Sequence, residues 1–357
     1  MHRQCQKGAA ALLLCGVLLA MLVLAGLWAG RQVAVAQRIA ANDHRAAVAQ
    51  QAADAGLAWT RAMLNTGRID GSCRPVYSTG LDFRDRALHL GAQGDYTAPP
   101  GHGAAAVCIN NAVHRWDCRC DGGMPTAVPP KGSSALQATF AIRFQETDAP
   151  GQLAVVSRGC SHPVAACADP AQPEPHHTGI AEHAQHIALL SALRRPPTTA
   201  VVEGNQAFLR VFGYPASHYR QQPALIRLRC TSSCHADLRQ AFARGRRLIW
   251  IDGSVTLREA LPQPPGDEPV VLLVDGQLDI TTAMDFTGVL YARTGIRWTP
   301  PAGSRSTVRG ALVTDGRWTP LGPEGAVELR PDPELLGRIS RQMGSYLPVP
   351  GGWNSRR

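Results

Sequence analysis

LIWIDGSV at 248–255, VLLVDGQL at 271–278, VLYARTGI at 289–296 and ALVTDGRW at 311–318 decide the fold of the C-terminal third. Each is a β-prone apolar run that stops at a turn pair: Asp252-Gly253, Asp275-Gly276, Thr294-Gly295 and Asp315-Gly316. The turn glycines recur about every 20 residues, the period of a solenoid in which each coil buries its inner face against the next. Asp-Gly also marks hairpins, so an antiparallel meander is the competing architecture. Gly288 and Gly310, each just before a strand, read as tight entry corners and favour the solenoid. The aspartates are turn residues first. Neither Asp-x-Asp nor a run of oxygen ligands points to calcium.

Upstream, Ala236–Arg244 reads as a short helix, and residues 200–235 as a mixed segment around Val211-Phe212-Gly213-Tyr214. Residues 179–195 read as a helix with apolar Ile180, Ile187, Leu190 and Leu193, ended by Pro196-Pro197. His183 and His186 would then share a helix face, with His176 and His177 before them. Their spacing to Glu174 and Glu182 matches no metal motif, so no metal and no cofactor are implied. Strands are expected at Ala104–Ile109, Ala138–Phe144 and Leu153–Ser157. Residues 67–135 are rich in Gly, Pro and Cys, including Val128-Pro129-Pro130-Lys131-Gly132.

The chain has 357 residues, ten of them cysteine, and a formal net charge of +9. Cys5 and Cys15 fall in or before the N-terminal apolar segment. Cys73, Cys108, Cys118, Cys120, Cys160, Cys167, Cys230 and Cys234 follow it, an even set that reads as disulfides on the oxidising side of a membrane. Cys160–Cys167 and Cys230–Cys234 would close small loops, while Cys118 and Cys120 would reach different partners such as Cys73 and Cys108. Zinc is the rival, but paired short CxxC knuckles are missing. The positive charge is almost all arginine, since lysine occurs only at Lys7 and Lys131. Its densest cluster, Arg244-Gly245-Arg246-Arg247, reads as a solvated turn before a strand rather than a DNA site.

The N-terminus opens with MHRQCQKG, whose charges are Arg3 and Lys7, followed by an uncharged apolar stretch from Ala9 to Gly30 and then Arg31. At about 1.5 Å per residue that stretch spans about 33 Å, enough to cross a hydrocarbon core of about 30 Å. The leading charges keep the N-terminus cytoplasmic and export the rest. Three readings compete: a signal peptide cut after Ala34-Val35-Ala36, an uncut anchor, and a prepilin signal cut between Gly8 and Ala9. From Arg31 to Asn65 there is no proline and only Gly56 among glycines, so one helix is expected from about Ala9 to Asn65, stopped at Asn65-Thr66-Gly67.

Lys7-Gly8-Ala9 with its long apolar continuation resembles type IV pilins. Gln37-Arg38-Ile39-Ala40-Ala41-Asn42-Asp43 and Ala52-Ala53-Asp54-Ala55-Gly56-Leu57 resemble the N-terminal segment of PilX-like minor pilins. At the other end, Pro331-Asp332-Pro333-Glu334-Leu335-Leu336 and Val349-Pro350-Gly351-Gly352-Trp353-Asn354 resemble the closing segment of larger members. The resemblance implies cleavage after Gly8 by a prepilin peptidase, methylation of Ala9 and packing against other minor pilins. Major pilins carry glutamate at the fifth mature position. Leu13 stands there instead, which fits a priming or tip subunit rather than a main-fibre subunit. Small residues Gly16, Ala20 and Gly26 would let helices approach closely in lipid.

The expected class is α+β, and the expected division of the chain is as follows. A leader occupies 1–8 and a transmembrane and stalk helix 9–66. A cysteine-rich pilin-like headgroup covers 67–240, β-repeats 246–325, and a C-terminal segment 326–357. No GxSxG, HExxH, Walker loop or placed G-x-G-x-x-G appears, so a non-enzymatic role is expected. The expected function is priming of pilus assembly at or near the tip, beside a tip adhesin, with adhesion or twitching motility as output. The alternatives are a membrane-anchored or secreted β-solenoid binding protein outside a pilus, and a DNA-uptake pilin.

Overall fold

The computed structural model describes residues 6–77, 80–101, 103–111, 115–125, 136–175, 177–230, 234–262, 264, 268–323 and 326–356. Arg3, Cys5, His176 and the Val128–Gly132 stretch lie outside them. A single helix runs from Gln6 to Leu64, 59 residues and about 89 Å long. Its two halves differ in what they touch. Large apolar side chains stand exposed through the first half, Leu12 at 77% and Trp28 at 67%. From Ala49 onward, Ala49, Ala52, Ala53, Leu57, Thr60 and Leu64 are buried. They recur every three or four residues and so form one stripe along the helix.

That stripe lies on a six-stranded antiparallel sheet. Its strands run in the order Gly344–Arg356, Ile180–Ser191, Gln152–Cys160, Thr139–Glu146, Ala106–Asn110, Trp116–Arg119. Phe140, Ile142, Phe144, Leu153, Val155 and Ile187 point from the sheet toward Leu57 and Leu64. Toward Ala49 and Ala53 the seam narrows, because small residues meet there from both sides. A Cβ added at Gly159 would overlap the Ala49 carbonyl and the Ala53 amide, and one at Gly56 would overlap the Ser157 hydroxyl.

The segment expected as a helix over 179–195 is instead the strand Ile180–Ser191. Neighbours override its helical propensity: Gln152–Cys160 bonds it on one side and Gly344–Arg356 on the other. On a strand, residues three apart face opposite sides. His183 therefore turns to the helix, its Nδ1 2.7 Å from Asp54 Oδ1, and His186 lies on the opposite face.

The repeats form a parallel β-solenoid. Leu248, Val271, Val289 and Ala311 sit in register on successive coils. Each coil then turns and adds a strand to a second parallel sheet, Val255–Leu257, Gln277–Ile280, Gly295–Trp298 and Arg317–Pro320. The third coil is one residue out of step with the sequence reading. Asp275 and Asp315 stack over Arg293, so Arg293-Thr294 occupies the corner and Gly295 already opens the next strand. Gly288 and Gly310 are not entry corners. They pair with each other inside Asp285–Ala292 and Ser306–Thr314, at φ 134° and 135°.

The large solenoid sheet is buried on both faces, which is why its strands read as unbroken apolar runs. Ile249, Ile251, Leu272, Val274, Leu290 and Leu312 face the inside of the coil, meeting Leu278, Ile296 and Trp298. The helix His235–Ala243 closes the first coil with Leu238 and Phe242. Trp250, Val271, Leu273, Val289 and Tyr291 face outward, under Phe208 and Phe212 of the helix Ala207–Phe212 and Leu336 and Ile339 of the helix Pro333–Gln342.

The solenoid lies in sequence between two adjacent strands of the antiparallel sheet, because the last strand, Gly344–Arg356, returns to pair with Ile180–Ser191. Asn65 ties this return to the helix end. Its amide donates to Arg61 O at 2.8 Å and to Tyr346 O at 2.9 Å, and its Oδ1 accepts from Tyr346 N at 2.9 Å.

Candidate functional site

The feature that needs a partner is the first half of the long helix. Leu12, Leu13, Leu14, Val17, Leu18, Leu22, Leu24, Leu27 and Trp28 are all exposed. Burying a large apolar side chain is worth about 1.5–3 kcal/mol, so this surface drives the segment out of water. The helix is long and apolar enough to cross a membrane. Lys7, Gly8 and Ala9 lie on its helical backbone.

Gly16, Ala20, Gly26 and Gly30 fall within about one third of the helix circumference at 3.6 residues per turn. A Cβ at Gly16, Gly26 or Gly30 would meet nothing within 4 Å. Each such glycine costs about 1 kcal/mol of helix propensity relative to alanine. Nothing among the described residues requires them, in contrast to Gly56 and Gly159. Cys15 on the same segment is unpaired and exposed.

The other eight cysteines among the described residues are joined as Cys73–Cys120, Cys108–Cys118, Cys160–Cys167 and Cys230–Cys234, with Cα–Cα separations of 5.4, 4.1, 6.0 and 5.2 Å. Cys108–Cys118 crosses between paired strands. Cys230–Cys234 leads into the helix that closes the solenoid.

The turn aspartates are held by their neighbours. Asp252 accepts from Arg227 and Arg229, Asp275 from Arg293 at 3.1 Å, and Asp315 from the Tyr291 hydroxyl at 2.8 Å and Phe208 N at 3.0 Å. Beside this corner column lies an open groove of about 670 Å³, walled by Gln206, Leu209, Ser217 and Arg220. No group of three His, Cys, Asp or Glu gathers at metal-binding distance among the described residues.

The arginine cluster is not a solvated turn. Arg246 donates to Asn65 O at 2.7 Å, and Arg247 pairs with Asp82 at 2.8 Å and Glu268 at 3.6 Å. Arg244 stacks on Tyr77, 4.9 Å from its centroid. With Arg84, whose Nη2 donates to Gly344 O at 2.7 Å, they fasten the first solenoid coil to the helix end and the returning strand. The sequence offers no local sign of this junction, since Asn65 and Tyr346 stand 281 residues apart.

Comparison with family models, with curated proteins and with solved structures finds no match.

Proposed function

We propose that this chain is a PilX-like minor pilin that helps prime type IV pilus assembly and sits at or near the fibre tip. The observation that carries the reading is the continuity of the helix. The same element presents an apolar, membrane-length half and, without a break, the small-residue stripe that packs on the antiparallel sheet. A sheet seated on the second half of such a helix supports the reading of residues 67–240 as a pilin-like headgroup.

In this account a prepilin peptidase cuts between Gly8 and Ala9, and the helix holds the subunit in the inner membrane with the sheet and solenoid on the periplasmic side. Partner helices of other minor pilins then approach at the glycine face of Gly16, Gly26 and Gly30, where close contact substitutes for the missing side chains. The solenoid, inserted between neighbouring strands, adds bulk that a fibre interior would not hold, which favours the tip. There it would contact an adhesin or a surface.

The groove beside the solenoid corner favours a second reading, a membrane-anchored binding protein outside any pilus. Deleting the chain separates the two. Loss of sheared surface pili, restored by the full chain but not by one that begins at Gln37, is the expected outcome. Unchanged piliation in the deletion strain contradicts the pilin reading.

A further inference from the structure

The junction between helix end and solenoid borders a half-open cavity of about 40 Å³, lined by Asn65, Asp82, Arg84, Arg246, Arg247 and Gln342 among others. Its charges do not balance. Arg247 and Arg68 are matched by Asp82 and Glu268, at 2.8, 3.6 and 3.0 Å. Arg84 and Arg246 reach only neutral acceptors among the described residues. Arg84 donates to Leu64 O, Gln342 O, Gly344 O and Asn65 Oδ1, and Arg246 donates to Asn65 O.

Arg84 is only 8% exposed. Burial pulls the pKa of both guanidinium groups below the usual arginine value, as expected where charge is poorly compensated. The carbonyls at the helix C-terminus supply about half a negative charge against these two positive ones. Asp85 lies nearby on the exposed side, hydrogen-bonded by the Tyr96 hydroxyl, and does not line the cavity. About one and a half positive charges are left over, and an uncompensated buried charge is costly.

We propose that this cavity binds one small monovalent anion of the chloride class, bridging Arg84 and Arg246 and locking the solenoid onto the helix end. The volume suits one ion and not a nucleic-acid phosphate chain. A lipid headgroup is out of reach, since Leu64 stands about 50 Å along the helix from Gly30. The proposal does not depend on the assembly reading.

The test titrates chloride against gluconate at fixed ionic strength on the full chain in detergent, reading Tm and broadening of the chloride NMR line. A saturable Tm rise of about 2–4 °C specific to chloride is expected. Arg246→Gln should abolish it. Arg246→Lys, which keeps the charge but loses the planar fork, should raise the half-saturating concentration about tenfold. Arg330→Gln, on the exposed solenoid surface, should leave it unchanged. No saturable chloride-specific shift in the unaltered chain, or one undiminished in both Arg246 variants, overturns the proposal.

Discussion

Asn65 does two jobs with one side chain. It donates to the Arg61 carbonyl at the end of the helix and mimics a strand residue toward Tyr346. Asn65→Ala leaves the Tyr346 N–H and C=O buried without their partner, so a loss of about 2–3 kcal/mol is expected in urea unfolding of the full chain. At the helix–sheet seam the threat is excess volume. Gly159→Val forces the strand away from the Ala49 carbonyl and should cost at least about 1–3 kcal/mol. The stop at Asn65 is legible from local sequence, because Asn-Thr-Gly ends helices. Its second role is not, because the partner comes from the far end of the chain. The same holds for Arg246 and Arg247, which look like a hydrophilic turn until the Asn65 carbonyl is brought beside the first and Asp82 and Glu268 beside the second.

At the scale of elements, the long helix and the solenoid strands were readable because each carries its own periodicity. The strand Ile180–Ser191 was not, since its alanines and leucines suit a helix and only its two sheet neighbours make it extended. The one-residue offset at Arg293 was hidden because Thr294-Gly295 mimics the Asp-Gly corners on either side.

Helix Pro333–Gln342 begins at Asp332, whose Oδ1 accepts from Leu335 N at 2.9 Å. That backbone hydrogen bond, with further help from Arg309, holds the Asp332 carboxyl below its usual 3.8. A depressed folded-state pKa stabilises above the unfolded value and is lost as pH falls through the folded one. Asp332→Ala should therefore cost about 1 kcal/mol at neutral pH, and the gap to the unaltered chain should close progressively below about pH 4. Denaturant midpoints across pH check this.

The disulfides differ in the loops they close. Cys73–Cys120 spans 47 residues and Cys230–Cys234 only 4. The chain-entropy relation gives about 4 kcal/mol for the first and about 2 for the second. Double Cys→Ser variants compared by unfolding should preserve that order.

For the whole molecule, the order of elements matters more than their number. The chain lays down a helix and five strands of the antiparallel sheet, builds the solenoid, and then returns with Gly344–Arg356 to complete the sheet. Residues 326–356 are therefore part of the fold, with a helix under the solenoid and a strand beside Ile180–Ser191. Removing residues 344–356 should expose Ile187 and unseat Arg84, and the truncated chain should be sensitive to protease where the full chain is resistant.

The solenoid was legible from the repeats, but its insertion within the sheet was not, because pairing across more than 150 residues leaves no local mark. The account as a whole rests on the apolar half and the packed half of the helix remaining one element in the mature protein. Intact-mass measurement of the chain extracted from the membranes of its own cells tests this most directly. A mature N-terminus at Ala9 carrying one methyl group is the predicted result, and a start at Gln37, which removes the membrane half, would contradict it.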